Sequence, residues 1–317
     1  MKKIKDMVSS VRNRLLELAR RKNRPFDEIL VLYGLERFLF RLSQSAYKDQ
    51  FILKGGLLIY GMALSEARPT KDIDLLGLTQ YSVEAVSELV KDIGKIEFND
   101  GMNYDFSRLT HETMAPDTEY PGIRLKFVGK LGNTRIPMQL DIGFGDVVVP
   151  DVKEMVFPTI LDMEAPTILA YAIETIVAEK FEAALDLADL NSRMKDFYDL
   201  WVLSQKYSFD GRSLQEAITA TCKRRGTIIR SDAEIFLTEF SRNFDINTQW
   251  TAFINKGPMD NTPDDFSRLM VALHDFLFPV ATACESKDEF NLKWPPGGPW
   301  HDQKAEDKNE WKRPIRY

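Results

Sequence analysis

Cysteine is nearly absent from this 317-residue chain. Cys222 and Cys284 are its only two, too few for a disulfide framework and in keeping with a reducing compartment. Histidine is as scarce: His111, His274 and His301 lack metal-ligand spacing, and "HETMA" from residue 111 is not the His-Glu-x-x-His of a zinc protease. No run approaches the roughly 18 apolar residues of a membrane span, since Lys54 and Glu174 interrupt the best stretches. The N-terminal "MKKIKDMVSSVRNRLL" has lysines with no apolar core behind them, so it does not read as a secretory signal. The expectation is a cytoplasmic protein with no membrane partner. There is no surplus of positive charge either. A formal net charge of -6 excludes a generic nucleic-acid coat but leaves room for a local basic groove. A Walker loop, a Gly-x-Ser-x-Gly elbow and the kinase signature set are all missing.

The chain that remains is ordinary in bulk, 44% hydrophobic and 28% charged, and its length suggests about two domains. Residues 3–21 and 26–44 read as helices, the second with Pro25 and Asp27 at its start. "DQFILKGG" reads as a buried strand entering a turn, "LLIYGMAL" as a helix from that turn, and "RPTKDIDLLGL" as a turn and a second strand. A polar helix over 82–93 precedes strands near 94–98 and 123–128, a "GKLGN" turn and the alternating strand "RIPMQLDIGFG". After Pro150 the pattern turns helical: "APTILAYAIETIVAEKFEAALDLADL", "SRMKDFYDLWVLSQKY", and on to about Phe278. The expected organisation is 1–160 as N-terminal helices plus an α/β core, 161–285 as a helical domain, and 286–317 as a polar tail rich in Pro and Gly. Trp294 and Trp300 are the tail residues suited to docking on the body.

The residues that carry chemistry lie in the first part. Asp72 and Asp74 are two apart in a strand and project to one side, with Ile73 and Leu75 facing the core. Two adjacent carboxylates repel unless a cation sits between them; Mg²⁺, a hard-oxygen ion that keeps sites open for phosphates, is the natural candidate. Gly55 and Gly56 fall between strand and helix, where backbone N–H groups and the helix start favour an anion and no Cβ blocks its approach. Asp141 alternates with the apolar Met138, Leu140 and Ile142, so pairing of its strand beside Asp72 would bring three acids together. Asp146 reads as a loop cap. Lys54, Arg68 and Lys71 surround the motif and either add to its positive field or are simply solvated. Lys180 falls on the apolar stripe of Leu169, Ile173, Ile176 and Val177, so it either snorkels out or reaches negative charge. Arg193 and Asp196 are three apart on the next helix, with Asp199 continuing the row. "CKRRGTIIR" holds Lys223, Arg224, Arg225 and Arg230 without an acid, a cluster able to grip RNA phosphates or to end a solvated helix.

In its order of motifs the chain resembles the AbiEii/AbiGii toxin family, which includes the MenT toxins: nucleotidyltransferases of bacterial toxin–antitoxin and phage-abortive systems. The resemblance runs through "VLYGLERFLFRLSQSAYKDQFILKGG", "RPTKDIDL", "LDIGFGD", "VAEKFEAAL" and "RMKDFYDLW", about residues 28–205. It implies an α+β fold, a DNA polymerase β-like nucleotidyltransferase core with a mixed sheet and flanking helices, followed by an α-helical domain. It further implies Gly55 and Gly56 at the triphosphate, Asp72 and Asp74 as metal ligands and Asp141 as the third acid. Lys180 matches the later "EK" lysine, and Asp196 and Asp199 match the acids of an Arg-Asp-x-Tyr-Asp pattern. Leu57 stands where the family often has Ser or Thr, and Lys195 where it usually has Arg. The implied activity moves an NMP from an NTP to RNA, most often the 3′ end of tRNA, with Mg²⁺ or Mn²⁺ as cofactor and a cognate antitoxin as partner. The alternatives are kinase-like phosphoryl transfer to a protein such as the antitoxin, and a non-catalytic nucleotide-binding module.

Overall fold

A computed structural model describes residues 2–63, 68–114, 121–187, 193–255 and 262–302. The chain forms two compact units. The first comprises Met1–Leu64, Pro69–Asp146 and Val152–Tyr171; the second comprises Ser65–Arg68, Val147–Asp151 and Ala172–Tyr317. Boundaries at 160/161 and 285/286 were expected. The chain instead passes into the second unit twice, briefly, before it stays there from Ala172.

Two helices open the first unit, α1 (Lys2–Arg21) and α2 (Phe26–Ser43). Apolar residues surround α2 on all sides, and it is buried from Ile29 to Ser43. Its charged residues are matched inside the core. Arg41 donates to both oxygens of Asp100, at 2.7 and 3.1 Å, and the Glu36 carboxyl lies 2.6 Å from Arg37. A seven-stranded sheet is built from β1 (Phe51–Lys54), β2 (Ile73–Gly77), β3 (Met102–Met114), β4 (Gly122–Leu131), β5 (Thr134–Phe144), β6 (Lys153–Val156) and β7 (Thr167–Ala170). Its order is β3-β4-β5-β2-β1-β7-β6, with β2 parallel to β5 and β1 parallel to β7 in an otherwise antiparallel sheet. Helix α3 (Gly55–Ala63) follows β1 directly, and α4 (Val83–Lys95) starts at Ser82, whose side chain accepts from the Ala85 N–H.

Two sequence expectations are corrected here. No strand forms at 94–98, because Val86, Leu89, Val90 and Ile93 keep helical spacing to the end of α4. The strand comes later, as β3, a mostly polar edge strand whose residues give no apolar alternation. Nor is "APTILAYAIETIV" one helix. Thr167–Ala170 pairs with β1 as β7, burying Ile168 and Ala170, and the helix begins only at Ile173.

The second unit holds α5 (Ile173–Leu187), α6 (Met194–Lys206), α7 (Gly211–Arg225), α8 (Thr238–Arg242), α9 (Phe244–Ile254) and α10 (Phe266–Ser286). A small sheet of β8 (Phe209–Asp210), β9 (Leu292–Trp294) and β10 (His301–Asp302) runs in the order β10-β9-β8. The polar stretch after residue 286 is therefore ordered structure as far as Asp302; 303–317 lie outside the described residues. Trp294 is buried, donates to the Ser204 carbonyl at 2.7 Å and packs on Phe276 and Trp300. Helix α10 corrects the expectation that no segment suits a membrane span. It is long and apolar enough by length and composition, yet Phe266, Leu269, Leu273, Phe276, Leu277 and Val280 on it are buried within the unit.

Candidate active site

The central strands of the first unit bring together residues far apart in sequence. β2 runs parallel to β5 with Asp74 opposite Asp141, and antiparallel to β1 with Asp74 opposite Lys54. Residues two apart share a face, so Asp72 just ahead of β2 joins that side. Asp72, Asp74 and Asp141 each offer a carboxylate oxygen, and these atoms all lie within 4.8 Å of one another. The convergence expected from the alternation of β5 is present.

Each acid is held by a neighbour. The Thr70 hydroxyl donates to Asp72 Oδ1 at 2.8 Å. The Gly56 N–H points to Asp74 Oδ2 at a long 3.4 Å. Asp141 is the most heavily engaged: Arg124, directly across the β4–β5 ladder, donates from Nε at 2.8 Å and from Nη2 at 2.7 Å, and Gln139 Nε2 lies 3.2 Å away. The Asp141 carboxylate, through these bonds, holds the Arg124 guanidinium above its ordinary value.

Gly55 closes the site from the other side. Its φ of +67° is open to glycine and strained for other residues, and a Cβ there would stand 2.0 Å from Asp74 Oδ2. Lys54 reaches Asp146 at 2.7 Å and the Tyr171 hydroxyl at 3.5 Å, with its ammonium 5.3 Å from the Tyr171 ring centre. Asp146 thus anchors Lys54 where sequence alone suggested a loop cap. Lys71 is exposed beside Asp72 in the chain.

Lys180, Asp196, Asp199 and Arg68 belong to the second unit and form a cluster of their own. Lys180 Nζ lies 2.7 Å from Asp196 and 2.8 Å from Asp199. Arg68 clamps Asp199 through two bonds of 3.0 Å, and Arg193 Nε lies 2.9 Å from Asp196. Burial works against the Lys180 ammonium, but Asp199 and Asp196 outweigh it and hold the group above the usual lysine value. Burial likewise opposes the Asp196 charge, and Lys180 with Arg193 overrides it, leaving that carboxyl below its ordinary value. Lys180 therefore meets negative charge instead of snorkelling to solvent.

The basic run at 223–230 is divided. Arg225 Nη1 donates to Glu182 at 2.7 Å and Nη2 lies 3.4 Å from Glu179, while Arg230 pairs with Asp232 at 2.8 and 2.9 Å. Lys223 and Arg224 are exposed in the last turn of α7. Sequence reasoning missed Arg124, Gln139, Thr70 and Tyr171. Arg124 and Tyr171 emerge only from the strand register or a long-range contact, whereas Thr70 and Gln139 each stand two residues before an acid and were legible as its neighbours, though not as its hydrogen-bond partners.

The donor set fits a divalent cation. It is all carboxylate oxygen, and three carboxylates against one guanidinium leave two negative charges.

A search of curated protein sequences returns no match. Among solved structures, MenT4, a nucleotidyltransferase toxin from Mycobacterium tuberculosis H37Rv, superposes with a TM-score of 0.50 at 15% identity, covering 86% of this chain and 98% of its own. Two Helicobacter pylori structures, the second of them JHP933, give TM-scores of 0.45 and 0.44 at 17% and 15% identity, covering 81% and 88% of this chain and 95% of each of theirs. The likeness to MenT4 speaks for the fold. The family model described as "Nucleotidyl transferase AbiEii toxin, Type IV TA system" matches residues 37–272, a span that takes in both the carboxylate cluster and Lys180, and on that match the chain belongs to the AbiEii family of nucleotidyltransferase toxins.

Proposed function

We propose that this toxin moves a nucleoside monophosphate from an NTP to an RNA acceptor in the cytoplasm, with the 3′ end of tRNA as the acceptor and pyrophosphate as the product released. The observation that supports this reading best is the convergence of Asp72, Asp74 and Asp141 beside the start of α3. Asp72 and Asp74 would hold Mg²⁺ or Mn²⁺, with Asp141 completing the set. Bound there, a divalent cation neutralises the triphosphate and the charge that develops on the departing pyrophosphate.

The chain's own residues supply position and field. Gly55, without a Cβ, lets the Asp74 carboxylate lie directly against the turn, and the first turn of α3 presents backbone N–H groups toward an anion. Leu57 brings no hydroxyl to this turn, so backbone donors carry the phosphate contact. Lys54, steadied by Asp146 and Tyr171, contributes fixed positive charge, and Lys71 adds an exposed one. The acceptor hydroxyl oxygen bonds to the α-phosphorus as the bond to the α–β bridging oxygen breaks. The hydroxyl proton passes to solvent and the bridging oxygen leaves with pyrophosphate. Asp141 Oδ1 accepts one hydrogen bond, from Arg124 Nε, and keeps a lone pair, while Oδ2 accepts two, so its assigned part is to hold the ion through Oδ1. Lys180, Asp196 and Asp199 are proposed, from their match to the family pattern, as further residues that turnover requires, with Arg68 holding Asp199 in place.

The test is purified protein with Mg²⁺ and total tRNA, given each of the four α-labelled NTPs in turn, with Asp72→Ala alongside. Label on RNA with one NTP, reduced at least a hundredfold in the variant while its melting curve is kept, is the expected result. Label that appears on protein from γ-labelled ATP instead, with none on RNA, would replace this reading with phosphoryl transfer.

A further inference from the structure

The face of the sheet that carries Asp141 does not end at the carboxylates. Along β5 the residues sharing that face are Gln139, Pro137 and Arg135; along β4, in register, they are Arg124, Lys126, Val128 and Lys130. The register places Arg124 across from Asp141, Lys126 from Gln139, and Lys130 from Arg135. The opposite face is the core: Ile123, Leu125, Phe127, Ile136, Met138 and Leu140 are all buried. Four cations thus line one uncovered face, and the row starts at the metal-binding acids.

These charges are available. Lys126 is 53% exposed, and its nearest acid, Glu112, is 3.8 Å away and itself 60% exposed, an arrangement that contributes little in water. Lys130 lies 2.7 Å from Asp105 but remains 39% exposed. Arg135 is exposed and has no ion pair among the described residues. In the basic run of the second unit, Arg225 is held by the buried Glu182.

We infer that this open face of β4 and β5 is the track for the acceptor strand, a single-stranded RNA end whose phosphates lie along Lys126, Lys130 and Arg135 and whose terminal hydroxyl reaches Asp72 and Asp74. The inference rests on the nucleotidyl-transfer reading above and adds where the acceptor lies. Successive same-face residues stand about 7 Å apart, so Arg124 and Lys126 are one step apart and the Lys130–Arg135 level lies two steps beyond Lys126, past Val128 and Pro137, spacings that an extended strand spans with one and two phosphates. The run of cations is anchored at one end on the reacting centre, so a strand laid along it is aimed. A polynucleotide carries a phosphate at each such step and so meets both groups of cations along one strand.

The experiment is fluorescence anisotropy of labelled total tRNA over a salt series, with Mg-NTP binding measured on every protein. It compares wild type, Lys126→Glu/Arg135→Glu, and Lys223→Glu/Arg224→Glu. Loss of two phosphate contacts should weaken tRNA binding at least tenfold and lower the slope of log affinity against log salt by about 1.4, at about 0.7 per contact. The 223/224 variant should bind as wild type does. Lys126→Gln/Arg135→Gln should show a smaller loss in the same direction, which guards against a folding defect in the reversed-charge protein. Wild-type affinity in the Lys126/Arg135 variants, or loss in the 223/224 variant alone, overturns the track and leaves nucleotidyl transfer standing. A wild type that binds Mg-NTP but no tRNA removes the RNA acceptor and the track together.

Discussion

Gly55 answers to two demands at one position. Its backbone takes a positive φ, and its missing side chain is the space into which Asp74 projects. Gly55→Ala should therefore do more than strain a turn. The left-handed conformation costs about 1–2 kcal/mol for alanine, and the new methyl must push Asp74 away from its partners. We expect a lower melting temperature together with a Mn²⁺ affinity reduced by tenfold or more, read by electron paramagnetic resonance of free Mn²⁺. A variant that melts lower yet binds Mn²⁺ normally would mean that Asp74 is not a ligand. Glu36 offers a second test, at a buried carboxyl instead of an open one. Burial raises it from an ordinary 4.5 to about 7, against the pull of neighbouring Arg37. Between those values the folded protein holds a proton that the unfolded chain has released, so stability falls as pH rises through that window. The effect is on the order of 3 kcal/mol. Urea unfolding at pH 5 and pH 7.5 should show it in wild type, and Glu36→Gln should flatten the difference.

At the scale of elements, what could be read in advance depended on whether a segment's neighbours were implied by its own pattern. β5 was legible because Met138, Leu140 and Ile142 alternate with Gln139 and Asp141, and that alternation states which side is wet. α2 was legible from apolar spacing and Pro25. β3 was not: it is an edge strand with a polar sequence, and its pairing with β4 supplies what its pattern lacks. β7 was hidden because a short buried strand and the first turn of an apolar helix look alike, and only the parallel partner β1 separates them. The site divides the same way. Asp72, Asp74 and the glycines announce themselves by local spacing, whereas Arg124 is found only once the β4–β5 register is known. The small sheet around β9 is a further case, since a composition rich in Pro, Gly and charge concealed a strand. Its anchor is Trp294, buried on Phe276 and Trp300. Trp294→Ala should cost about 3–5 kcal/mol in urea unfolding followed by circular dichroism. A change under about 1 kcal/mol would return the stretch to the status of a tail.

For the whole molecule, the telling fact is that the second unit is not assembled from one continuous stretch. Arg68 comes from the middle of the first unit's sequence, and through two 3.0 Å bonds it holds Asp199, which is almost fully buried and shared with Lys180. Removing one partner of a buried charge leaves part of its desolvation uncompensated. Asp199 keeps Lys180 as a partner, so Arg68→Met should destabilise the second unit by about 1.5–3 kcal/mol, the worth of a hydrogen bond to a charged group, seen as faster amide exchange in α5 and α6 by mass spectrometry. Unchanged exchange there would show that Lys180 alone satisfies Asp199.

The same threading limits how such a protein can be recombined. A helical part taken from a relative at a single joint near Ala172 would arrive without the arginine that its aspartate requires, and without 147–151, whose Val149 carbonyl accepts from Thr175. A working chimaera needs five matched joints, at 64/65, 68/69, 146/147, 151/152 and 171/172, so the two halves of this chain pass from parent to hybrid as one inherited piece.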